Sequence, residues 1–90
     1  MERAAIERIR EAVRSAQRAV HSPKLDSCDV DDIEEVITSV DHELGRPNPN
    51  KSTLTTYLNS LARSLKSQPH ARNAGLQLEE AMREAHLPIA

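Results

Sequence analysis

Ninety residues, 38% of them apolar and 29% charged, with a net charge of −2, suit one small domain spanning 1–90 and leave no room for a second. One Tyr, no Phe and no Trp leave the core to Leu, Ile, Val and Ala, which makes it thin in the residues that bury most area. One Cys excludes an intramolecular disulfide, no apolar run approaches the ~20 residues of a membrane span, and the Arg-rich, Glu-containing start is unlike a signal peptide, so a cytoplasmic location is expected.

The first predicted element is a helix over about 2–21. Its stripe of Ile6, Ile9, Val13, Ala16 and Val20 alternates spacings of three and four, flanked by Ala5, Ala12 and Ala19. Ser22-Pro23 breaks the pattern, and the stretch to Ser27 reads as a connection. A second helix, over 29–44, starts with Asp29 as its cap and carries Val30, Ile33, Ile37, Val40 and Leu44 on one face. The acids Asp31, Asp32, Glu34 and Glu35 in its first turns complement the helix dipole. Gly45 is expected to take the left-handed turn after the last helical residue, and Pro47 to stop the helix.

Asn48 followed by Pro49 reads as a cap and a first-turn proline for a third helix over 49–66. Its stripe is Leu54, Leu58, Leu61 and Leu65, helped by Tyr57 and Ala62. A fourth helix over 69–86 carries Ala71, Ala74, Leu78, Ala81 and Ala85, with Met82 beside them and Leu76 off the stripe. Gly75 inside it costs about 1 kcal/mol relative to Ala and leaves the helix's continuity open. No stretch alternates with period two. The expected fold is all-α, a small antiparallel four-helix bundle. Ile9, Val13, Ile33, Ile37, Val40, Leu58, Leu61 and Leu65 should be buried in it.

The two outer helices expose an alanine question. Ala5, Ala12, Ala16 and Ala19 on one, and Ala71, Ala74, Ala81 and Ala85 on the other, exceed what one thin seam needs. A homodimer through such a face is therefore expected, because a chain this short gains much from extra buried area. The alternative is that both faces pack on each other within one chain.

Charge is segregated along the chain. Residues 1–25 hold six Lys/Arg against three Glu, residues 26–44 eight acids and no Lys or Arg, and residues 45–72 five bases and no acid. Adjacent helices of opposite sign select pairing and register, each exposed pair being worth little alone. The same blocks can dock a partner of opposite sign. The acidic face offers Asp31, Asp32, Glu34 and Glu35; the basic ones offer Arg10, Arg14 and Arg18 on the first helix and Arg63 with Lys66 on the third.

Catalytic and metal motifs are weak. Gly45–Thr53 nearly matches the phosphate-loop pattern, but Asn50 stands where the loop needs Gly, two prolines remove amide donors, and no strand precedes it. Lys51, Ser52 and Thr53 at the helix start remain a candidate anion site. The run from Asp26 to Asp32 lacks the Gly and closing Glu of a calcium loop, so capping accounts for it better. His21, His42, His70 and His86 are scattered, and His42 with Asp41 and Glu43 lacks the spacing of a metal site. Cys28 has no paired Cys or supporting His order. No cofactor is expected, and no enzyme.

The leading functional expectation is a small non-enzymatic protein–protein interaction module, an adaptor, chaperone-like or regulatory protein, using charge-segregated helix faces. The alternative is a nucleic-acid-associated regulator using the Arg10–Arg14–Arg18 stripe, which a sequence pI near 6.1 and a single aromatic residue do little to favour. The segment from Asp29 to Leu65, two stripes around Pro47-Asn48-Pro49-Asn50, resembles the helical hairpin of type III secretion needle subunits in its turn. The likeness covers under half of the chain, a Pro-x-Pro replaces the needle spacing, and no functional residue is carried over from it.

Overall fold

The computed structural model describes residues 2–21 and 27–89, and the side chains of Ser27, Cys28 and Asp29 lie outside that description. Four helices follow one another: α1 (Arg3–Val20), α2 (Ser27–Leu44), α3 (Lys51–Lys66) and α4 (Arg72–Glu84). No strand occurs among the described residues. α1 packs on α2 and α4, and α3 packs on α2 and α4, so the helices stand at the corners of a square in up-down-up-down order. The radius of gyration, 12.1 Å, is the ~12 Å expected of a compact chain of this length.

Burial on one side of each helix imposes the three-four spacing, and the core follows it. Ile9, Val13, Ile33, Ile37, Val40, Leu58, Leu61 and Leu65 are all at 2% exposure or less, joined by Val20, Leu54, Leu78 and Met82. The alanine faces are not outer faces. Ala12 and Ala16 of α1 are buried, as are Ala74 and Ala81 of α4 and the flanking Ala71 and Ala85, and the two helices pack together within one chain. Small side chains let these backbones approach, so most of both alanine faces meet within one chain, with Ala5 and Ala19 half-buried. Leu76 remains exposed.

Helix ends depart from the sequence expectation in instructive ways. α2 begins at Ser27, two residues before Asp29, so the helix starts earlier than expected. The Ser22-Pro23 break and the connection after it lie outside the described residues. Gly45 has no left-handed φ; α2 ends with ordinary turn bonds, Gly45 N–H to Asp41 O at 3.0 Å and Arg46 N–H to Glu43 O at 3.2 Å.

α3 starts after Asn50 rather than Asn48, because Asn50 Oδ1 accepts the Thr53 N–H at 2.9 Å and so caps the helix. α4 starts at Arg72 rather than Pro69, since Gln68 to Ala71 closes as a separate turn, with Ala71 N–H donating to Gln68 O at 3.0 Å. Its far end stops at Glu84, two residues short of His86. His86, at φ 60°, is the left-handed residue of the described chain. Its N–H donates to Arg83 O and the Leu87 N–H to Met82 O, the Schellman closure usually built on Gly. Leu87 and Met82 are both buried there.

α4 runs unbroken across Gly75. A Cβ at that position would lie 2.8 Å from Lys66 Cγ and 3.2 Å from both Ala62 O and Leu65 Cβ. Gly75 thus lets α4 approach α3 closely, and its helix-weakening property is offset by that packing.

Candidate functional site

Polar bonds along the seams sort the charged residues into those that hold the bundle and those that face outward. On the α1–α2 seam, an Arg10 guanidinium N–H donates to Leu44 O at 3.2 Å, where α2 leaves carbonyls unpaired. Arg14 pairs with Asp41 and also donates to Gln17 Oε1 at 2.6 Å. His21 Nε2 lies 3.0 Å from Glu34 Oε1, an atom shielded from solvent that otherwise lacks a hydrogen-bond partner. It is satisfied when His21 carries a proton on Nε2. Each step toward the C-terminus of α1 meets a step back along α2, as an antiparallel register requires.

On the α1–α4 seam, Arg8 Nε donates to Glu84 Oε2 at 2.8 Å, and Ser15 to Gln77 Oε1 at 3.0 Å. The Arg8 pKa is raised, first by that hydrogen bond and then by the Glu84 charge. On the α3–α4 seam, Lys66 Nζ donates to Glu79 Oε2 at 2.8 Å, and Glu79 is 6% exposed. Sequence patterning passed over Glu79, and weighed Glu43, which is 5% exposed, only as a metal ligand beside His42. Glu43 Oε2 accepts the Asn50 N–H at 2.9 Å, and Arg46 stands 3.7 Å from its other oxygen. That carboxylate closes the α2–α3 turn.

The candidate binding residues therefore do not form one site. Of the basic stripe, Arg10 and Arg14 are committed to α2, while Arg18 is exposed and lines a groove of about 620 Å³ between α1 and α4. Glu11 and Glu80 share that groove with Arg8 and Arg14, so its walls are of mixed sign. Arg63 is exposed and Lys66 is paired with Glu79, which separates them. Glu34 faces His21. Asp32 and Glu35 line a groove of about 470 Å³ between α2 and α3, with Val36, Ser39, Thr56 and Tyr57. Asp31 is exposed and outside that groove.

The candidate anion site is partly spent. Asn50 takes the Thr53 N–H, leaving exposed Lys51 and Ser52 beside His86 and Pro88 in a smaller cavity of about 280 Å³. Among the described residues no three His, Cys, Asp or Glu side chains are grouped to hold a metal ion, and the calcium reading of Asp26–Asp32 falls largely outside them. No described helix is long and apolar enough to cross a membrane. No known family model, curated protein or solved structure matches the chain. The needle-subunit likeness stays a likeness of the turn.

Proposed function

We propose that the protein is a small, non-enzymatic protein-interaction module that docks a basic partner on the outward acidic side of α2. The observation that carries this reading is the division of labour among the charges. Arg10, Arg14 and Lys66 bond across the helix seams to Leu44 O, Asp41 and the buried Glu79, whereas Asp31, Asp32 and Glu35 have no ion pair among the described residues and face solvent or the α2–α3 groove. Unpaired acids spaced along one helix repel one another, and a basic surface relieves that repulsion while steering association.

The nucleic-acid alternative draws on the same accounting and loses by it. Two arginines of its stripe have partners on α2, and acids share the groove where Arg18 lies. Most of the alanines pack within one chain while Ala5 and Ala19 stay half-buried and Leu76 exposed, so light scattering decides whether a second copy also binds there. The test is titration of the protein against a lysine-rich peptide and against duplex DNA over a range of salt. Peptide binding that weakens with salt, with no DNA retention even at low salt, is the expected result. DNA binding that Arg18→Ala abolishes would replace this reading with the alternative.

A further inference from the structure

The acids alone do not define a site, but the groove they border has a floor. Val36 of α2 and Tyr57 of α3 are half-buried apolar residues packed on the core, and both open into the α2–α3 groove. Tyr57 is the chain's single aromatic residue, and it sits in this groove rather than at the centre of the bundle. Tyr is the kind of side chain that anchors partners, offering a large rigid apolar body with a polar tip. Asp32, Glu35 and Ser39 follow the rim at helical steps of three and four. Tyr57 and Ser39 also line the neighbouring cavity toward Arg46, so the depression continues along the helix pair.

We infer that the α2–α3 groove seats an amphipathic helix of a basic partner, its apolar side on Val36 and Tyr57 and its Lys or Arg residues against Asp32 and Glu35. This rests on the function proposed above and narrows it to one surface. Two antiparallel helices leave between them the furrow into which a third helix packs. The sign of the rim selects a cationic occupant and repels nucleic acid. A second copy of this chain is a poorer fit, because its exposed Arg18 shares a groove with Glu11 and Glu80 and its exposed Arg63 lies on a different helix, so the two form no single cationic, amphipathic face.

Tyr57 also supplies the readout. With no Trp present, the protein's emission above 300 nm comes from this one residue. Two Tyr- and Trp-free synthetic peptides of identical composition serve as probes at low salt: one places Leu on one helical face and Lys on the other, and the second scrambles that order. The amphipathic peptide should bind roughly tenfold or more tightly than the scrambled one and change the Tyr57 emission. Asp32→Asn with Glu35→Gln should weaken it about tenfold or more, and Val36→Ser several-fold, with helical circular dichroism unchanged. Equal binding of both peptides with unchanged Tyr57 emission overturns the groove while leaving the acidic-face reading intact. No binding of either peptide overturns both. Emission that depends on protein concentration alone, with a doubled mass in light scattering, assigns the groove to a second copy and overturns the proposed partner.

Discussion

Replacing Gly75 with Ala sets two magnitudes against each other. Ala gains about 1 kcal/mol over Gly in a helix interior, which on patterning alone makes Gly75→Ala a stabilising change. The new methyl, however, would stand 2.8 Å from Lys66 Cγ and 3.2 Å from Ala62 O and Leu65 Cβ. Ala62 O is main chain and Leu65 is fully buried, so neither can yield freely. Lys66 is anchored at its far end by Glu79. Separating α3 from α4 by a few tenths of an ångström strains the core around Leu65 and Leu78, and overpacking of this kind costs about 1–3 kcal/mol.

The strain outweighs the propensity gain, and we expect Gly75→Ala to lose roughly 1 kcal/mol, or about 4–8 °C in Tm for a domain of this size. Gly45→Ala is the internal control. Its methyl would meet Asp41 O at 3.4 Å and His42 O at 3.6 Å, ordinary contacts at an ordinary φ. It should be neutral or stabilising by up to about 1 kcal/mol through reduced unfolded-chain entropy. Thermal and urea unfolding of the two variants decide the matter. A Gly75→Ala protein as stable as the parent, or more so, refutes the close-approach argument.

His86→Gly should stabilise the protein by about 0.5–1 kcal/mol, because a left-handed φ strains a residue with a Cβ more than the added chain entropy of Gly offsets; urea midpoints measure it. Glu43→Ala removes the acceptor of the Asn50 N–H and should cost about 1–3 kcal/mol in the same assay. Glu43→Gln keeps an oxygen in place and should lose less than half as much.

Helix number, approximate spans and the apolar core were legible because one-sided burial forces a period that any neighbour satisfies. The residues at the edges of each stripe were not. Glu43 and Glu79 follow exposed-looking positions in the pattern, and only the identity of the adjoining element, a short turn in one case and Lys66 in the other, buries them. The stripe of Arg10, Arg14 and Arg18 looked like one surface, yet Arg10 and Arg14 bond to α2 while Arg18 lines the α1–α4 groove, which Arg14 also borders. The two glycines exchanged roles for a related reason. Chain punctuation suggested strain at Gly45, whereas the demand for Gly arises at Gly75 from the packing of the preceding helix. Asn50 capping was hidden behind Asn48-Pro49, an equally good local signal that lacks the bond to Glu43.

The central claim, that the acids of the α2–α3 groove serve binding while those of the α1–α2 seam hold the fold, is tested most directly by comparing the stabilities of two charge variants. Asp41→Lys places a cation against Arg14 and should cost about 0.5–1.5 kcal/mol in urea unfolding, from a lost pair and a new repulsion screened by solvent. Asp32→Asn with Glu35→Gln should leave stability within about 0.5 kcal/mol of the parent. The opposite order, with the groove variant markedly destabilised and Asp41→Lys unaffected, would contradict the account.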